Sequence, residues 1–140
     1  MDPAGVSLAE HVRAEAARLA AACTACGECV RACPMTPYAA GVDAAAPGVV
    51  AAGMVDVLRG GTGSPAALAW IAACTKSGIC TPACPERLDA AFMLRLAGLR
   101  AKGALGDAPL VPVREDTQFS PKVKAFARLT LTAEEQARWL

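Results

Sequence analysis

Seven cysteines in a 140-residue chain are the residues with most chemistry to offer, and they fall into two groups. The first is Cys23-x-x-Cys26-x-x-Cys29-x-x-x-Cys33-Pro34, and the second is Cys74-x5-Cys80-x3-Cys84-Pro85. An odd number is unlike a secreted disulfide scaffold, so the arithmetic points to metal. In the first group, three thiolates from one tight loop can reach three irons of one cubane iron-sulfur cluster. The fourth, carried into the next turn and fixed by proline, points elsewhere. Zinc is the alternative, but its usual two separated pairs of ligands fit this spacing less well.

Laid over the first group, Cys74, Cys80 and Cys84 match Cys23, Cys29 and Cys33, and Ser77 stands where Cys26 would be. In the two-cluster pattern the last cysteine of each group ligates the other cluster. Cys23, Cys26, Cys29 and Cys84 then form a complete set of thiolates, and Cys33, Cys74 and Cys80 form a set one short. The complete set favours a 4Fe-4S cluster. The short set favours 3Fe-4S, lacking the iron that would face Ser77. The alternative is a second 4Fe-4S cluster whose last iron is held by Ser77 oxygen or water, although a hydroxyl is a harder ligand and suits such iron less well.

The pair CTACGECVRACP and CTKSGICTPACP resembles the C-terminal alpha-helical ferredoxin domain of succinate dehydrogenase and fumarate reductase iron-sulfur subunits. It is also similar to the dicluster domain of heterodisulfide reductase-related and glycolate oxidase-type iron-sulfur proteins. The resemblance covers roughly Leu8 to Lys102 and implies adjacent clusters held by the seven cysteines. It implies an electron-transfer subunit working between a flavoprotein or other oxidoreductase subunit and a quinone-linked or CCG-domain partner. Three departures bear on that expectation. No plant-type 2Fe-2S domain stands before Cys23, so a donor must dock differently. Tyr38 and Thr75 occupy places that hold a tryptophan and a histidine of the quinone site in succinate dehydrogenase. No cysteine follows Cys84, so CCG-type chemistry belongs to a partner or to a longer chain. Two alternatives follow: the N-terminal cluster domain of a longer heterodisulfide reductase-like enzyme, or a redox-sensing iron-sulfur module.

Positioning such loops calls for helices, and the sequence predicts an all-α fold in which a helix feeds each cysteine group. Ser7-x-x-Glu10 is a capping box, stapled by Val6, for a helix from Leu8 to Ala22 with Leu8, Val12, Ala16, Leu19 and Ala20 on one face. A second helix is expected from Val49 to Leu58, ended by Gly60-Gly61. A third opens at Ser64-Pro65 and runs into Cys74. A fourth runs from Ala90 to Lys102, capped by Asp89 and stopped by Gly103. The expected organisation is a dicluster domain over 1–104, with two loops related by a pseudo-two-fold axis. Over 105–140 follow a linker and a helical tail, signalled by Ser120-Pro121 and the capping box Thr132-x-x-Glu135. The apolar residues Phe126, Leu129, Leu131 and Trp139 suit that tail either to pack back or to dock a partner.

Composition narrows the function classes. The chain is 54% hydrophobic but 4% aromatic, and with 33 alanines its apolar content suits closely packed helices stabilised by metal ligation. A net charge of +1 with interspersed signs argues against nucleic-acid binding. The longest uncharged run, Gly60 to Thr75, is too short and broken to span a bilayer, and residues 1–20 lack an export signal. A cytoplasmic protein is expected, attached to a membrane only through a partner. His11, the only histidine, is expected on the surface, so no catalytic pair is available. Gly60-Gly61-Thr62-Gly63 is read as a turn, and Trp70 as a cover over the incomplete cluster.

Overall fold

The computed structural model describes residues 5–106, 112–115, 117 and 119–139. Its helices are α1 (Leu8–Ala22), α2 (Glu28–Ala32), α3 (Pro47–Leu58), α4 (Pro65–Ala73), α5 (Ala90–Ala101), α6 (Phe119–Thr130) and α7 (Ala133–Trp139). Short 3-10 turns occupy Thr36–Tyr38, Thr81–Ala83 and Val113–Glu115. Among the described residues there is no strand, and no helix is long and apolar enough to cross a membrane.

The caps act as their residue types dictate. The Ser7 hydroxyl accepts from Glu10 N–H and the Glu10 carboxylate accepts from Ser7 N–H at 2.7 Å. Ser64 caps α4 by accepting from Ala67 N–H, with Pro65 supplying the first helical φ. Asp89 caps α5 by accepting from Phe92 N–H at 3.0 Å. Thr132 and Glu135 form a second capping box at α7.

Helix α3 is central and packs against α1, α2, α4 and α5. Val50, Met54 and Leu58 on α3 are fully buried with Trp70, Met93 and Met35. Between them lie Ala16, Ala20, Ala51, Ala67 and Ala97, each at most 1% exposed. Small side chains here let helix axes approach closely. At the α3–α4 crossing a Cβ on Gly53 would come within 2.6 Å of the Ala67 Cβ. Arginines then fasten helix ends across the bundle: Arg59 donates to the Ala20 carbonyl at the end of α1, and Arg100 to the Leu58 carbonyl at the end of α3. Both satisfy terminal acceptors that the helices leave over.

Several expectations change. Leu8 is 78% exposed and Val6 is 72% exposed, so neither joins the core. The staple fails because the residue four into α1 is exposed His11, which offers no apolar surface. Helix α3 starts two residues earlier than expected, with Pro47 at its first position. On α5, Met93 and Leu96 are buried, but Phe92 and Leu99 lie at the rim. Helix α6 begins at Phe119, ahead of the Ser120-Pro121 signal. It packs back through Ala125, which is 1% exposed, and touches the Thr36–Tyr38 turn. Phe119, Val123, Phe126, Leu129 and Trp139 remain exposed. Much of the expected linker, residues 107–111, 116 and 118, lies outside the described residues.

Candidate functional site

The two cysteine loops are conformational copies of each other. Helix α1 ends at Ala22, and Cys23 turns into extended backbone while its N–H still bonds the Leu19 carbonyl. Helix α4 ends at Ala73, and Cys74 does the same against Ile71. Two residues on, Ala25 and Lys76 take left-handed backbone at φ 54° and 61°. Each then donates its N–H to the sulfur of the preceding cysteine at 3.4 Å. Gly27 and Gly78 follow at φ 84° and 76°. Each motif closes on an extended cysteine, Cys33 at φ −72° and Cys84 at φ −71°. Backbone that alternates hand in this way curls successive N–H groups towards one concavity and favours anionic sulfur there. Ser77 occupies the place of Cys26 within this repeat.

One difference separates the copies. After Cys29 the chain forms α2, in which Val30 and Arg31 both donate to the Gly27 carbonyl. After Cys80, Thr81 donates to Gly78, but the residue matching Arg31 is Pro82, which has no N–H to give. The second copy therefore makes a 3-10 turn. Helix α2 was not expected from the sequence, although this proline contrast was its legible signal. The second loop is also tied to α5: the Thr81 hydroxyl donates to Asp89 and accepts from Ala91 N–H.

The first loop rests on the N-terminus of α3. A Cβ on Gly27 would stand 2.6 Å from Gly48 N and Pro47 C, and one on Gly48 would stand 3.1 Å from the Ala25 carbonyl oxygen. Only glycine allows this approach, which brings the positive end of the α3 dipole under the loop.

The cysteines divide between two cavities. One is lined by Cys23, Cys26, Cys29 and Cys84, with Met54 and Met93 among its apolar walls. The other is lined by Cys33, Cys74, Cys80 and Ser77, with Met35 and Leu94. These are the two crossed sets expected from the spacing. All seven thiols are free, Cys80 buried, Cys26 exposed and the rest half-buried. Among the described residues no three His, Cys, Asp or Glu side chains stand together as a single metal ion would need; the thiols line cavity walls instead. Burial pushes the Cys29 thiol up to about 12, with nearby Cys80 and Cys23 adding to it. Burial likewise pushes Cys80 up to about 11, with Cys74 and Cys33 adding. Helix α2, which contains Cys29, packs against the Thr81–Ala83 turn, which follows Cys80, so the cavities are neighbours.

Clustered thiols, apolar walls and inward N–H groups suit an iron-sulfur cluster. Such sulfurs are held as thiolates only where a cation offsets their charge, and cluster sulfur accepts backbone N–H bonds. The methionine walls were missed in the sequence because Met35, Met54 and Met93 look there like ordinary core positions. Glu86, which also lines the first cavity, had no distinguishing signal. Thr75 lines the second cavity, and Tyr38 is exposed. Trp70 is buried in the core, and its indole Nε1 has no hydrogen-bond partner. The second cavity is walled by other residues. His11 is exposed, and the Gly60–Gly63 stretch follows α3 as an irregular turn. No family model matches the chain, and neither a curated protein nor a solved structure is significantly similar to it.

Proposed function

We propose that the chain is an iron-sulfur electron-transfer module with two adjacent clusters. It would pass single electrons between a flavoprotein oxidoreductase and a quinone-linked or CCG-domain partner. The observation that carries this reading is the division of all seven cysteines, four and three, between two neighbouring cavities. Cys23, Cys26, Cys29 and Cys84 would hold a 4Fe-4S cluster, and Cys33, Cys74 and Cys80 a 3Fe-4S cluster. Bound clusters supply one-electron donor and acceptor states at little structural cost.

The chain's own residues do the rest. The left-handed turns at Ala25, Gly27, Lys76 and Gly78 direct backbone donors towards sulfur, which favours the thiolate form. Met35, Met54 and Met93 exclude water from the buried sides. Exposed Cys26 and Ser77 mark the edges of each loop nearest solvent, where an electron partner would approach. Ser77 also supports a second reading, because it lines the second cavity and its hydroxyl would hold the last iron of a second 4Fe-4S cluster.

Low-temperature EPR of anaerobically purified protein, with iron and sulfide counts, tests both. A near-isotropic signal when oxidised, a rhombic one after dithionite and about seven irons are expected. An oxidised protein that is EPR-silent with about eight irons would move the assignment to two 4Fe-4S clusters. A protein with neither iron nor sulfide would overturn the function.

A further inference from the structure

The aromatic residues that the core leaves unused gather in one region. Of the chain's six, Trp70 is buried, whereas Tyr38, Phe119, Phe126 and Trp139 are exposed on α6, on α7 and on the turn that α6 touches. Helix α6 is anchored to the rest of the molecule through buried Ala125. Phe119, Val123 and Phe126 recur at intervals of four and three, so they form one stripe along the helix. All three are exposed, as is Leu129 beside them. Lys124 and Arg128, four residues apart, form a second, exposed stripe, and half-buried Lys122 adds a third cation. Helix α6 itself has no carboxylate. With α7 it holds four basic residues against two acidic ones, Glu134 and Glu135, a positive balance in a chain whose net charge is only +1.

We propose that α6 is an interfacial helix that docks the protein directly on an anionic phospholipid surface. Large apolar side chains on one stripe and cations on another are what such a helix needs: the first enter the headgroup boundary and the second meet lipid phosphates. A helix is about 10 Å across, close to the screening length of about 8 Å at physiological ionic strength, so cations on either stripe feel the surface. Tyr38 and Trp139 are aromatics with a polar tip, the type that settles at a membrane boundary. A second copy is a poorer occupant, because a symmetric contact would set the basic helix against itself. A protein groove cut for one helix would reach the α6 stripe but not aromatics spread over a second helix and a turn, which a fluid surface admits. The proposal does not depend on what the cysteine cavities hold.

Co-sedimentation of the purified protein with vesicles tests it, using phosphatidylcholine alone or mixed with phosphatidylglycerol. Partition onto the anionic vesicles is expected to exceed that onto the neutral ones by about tenfold or more, and to weaken as salt is raised. Lys124→Gln combined with Arg128→Gln is expected to cost about tenfold on the anionic vesicles. Phe119→Ser combined with Val123→Ser is expected to cost about tenfold or more on the same vesicles. All four side chains are exposed, and unchanged helix content by circular dichroism checks that each variant is folded. Equal partition onto both kinds of vesicle would overturn the need for anionic lipid. Binding that the charge variant weakens and the apolar variant leaves unaltered would overturn insertion of the aromatic stripe, and binding unaltered in both would overturn the placement on α6. Binding to neither vesicle would overturn the proposal and give the face to a protein, a second copy if the native chain also self-associates and the Phe119→Ser, Val123→Ser variant does not.

Discussion

Ser77 is the residue on which the two sites differ. Replacing it with cysteine restores the repeat, so Ser77→Cys is expected to raise the iron count from about seven to about eight and remove the oxidised EPR signal. An unchanged count and spectrum would mean that position 77 does not face an iron. The two loop glycines offer a contrast that separates backbone strain from crowding. Gly78→Ala meets nothing within 4 Å and is expected to cost only the left-handed penalty, about 1–2 kcal/mol. Gly27→Ala adds a collision with the α3 backbone at 2.6 Å and is expected to cost about 3 kcal/mol or more, with loss of the first centre. Thermal midpoints and iron content of the two variants check the order.

At the scale of elements, small residues set helix spacing. Gly53→Ala improves helix propensity, yet at the α3–α4 crossing it would overlap Ala67 and Ser64. The net result is expected to be a loss of about 1–3 kcal/mol, measured by denaturant unfolding. The capping box on α1 carries a pH dependence. The Ser7 backbone N–H, followed by the Ser7 hydroxyl, holds the Glu10 carboxyl below its usual range. A depressed carboxyl stabilises the folded state above its unfolded pKa, and that help is lost as pH falls through the folded value. Fraying of the first turn of α1 in acid, with Glu10→Gln frayed at neutral pH as well, is the expected result by amide exchange.

These same elements show what the sequence made legible. Caps at Ser7, Ser64, Asp89 and Thr132 were visible because side-chain oxygen and backbone donor lie three residues apart. The crossed cysteine sets were visible in the spacing. Leu8 was misplaced because periodicity gives a face without saying how far the core extends along it. The contacts of α6 with the Thr36–Tyr38 turn, and a groove shared by Lys76 and Lys122, depend on distant segments meeting and leave no local trace.

For the whole molecule, the described core is aliphatic with a single aromatic residue, Trp70, and nine of its buried residues are alanines. Burial of small side chains contributes little per residue, so anything bridging the two loops adds stability out of proportion to its size. Removal of metal under reducing conditions is expected to lower the thermal midpoint and loosen α2 and the Thr81–Ala83 turn first. An unchanged midpoint would mean that the helices suffice alone.

The shared ownership of the two cavities also governs the order in which a nascent chain can mature. The cavity that uses Cys23, Cys26 and Cys29 waits for Cys84, so the earliest cysteines to leave the ribosome are the last to have a complete set. The other cavity, begun with Cys33, is supplied by Cys80 four residues sooner. Under the proposed function neither half of the chain could be loaded separately and joined later, because each half contributes a wall to both cavities. Both cavities are closed only by residues that follow Cys84, up to Met93 in the first and Leu94 in the second, so a chain released before helix α5 has emerged has no finished cavity to offer.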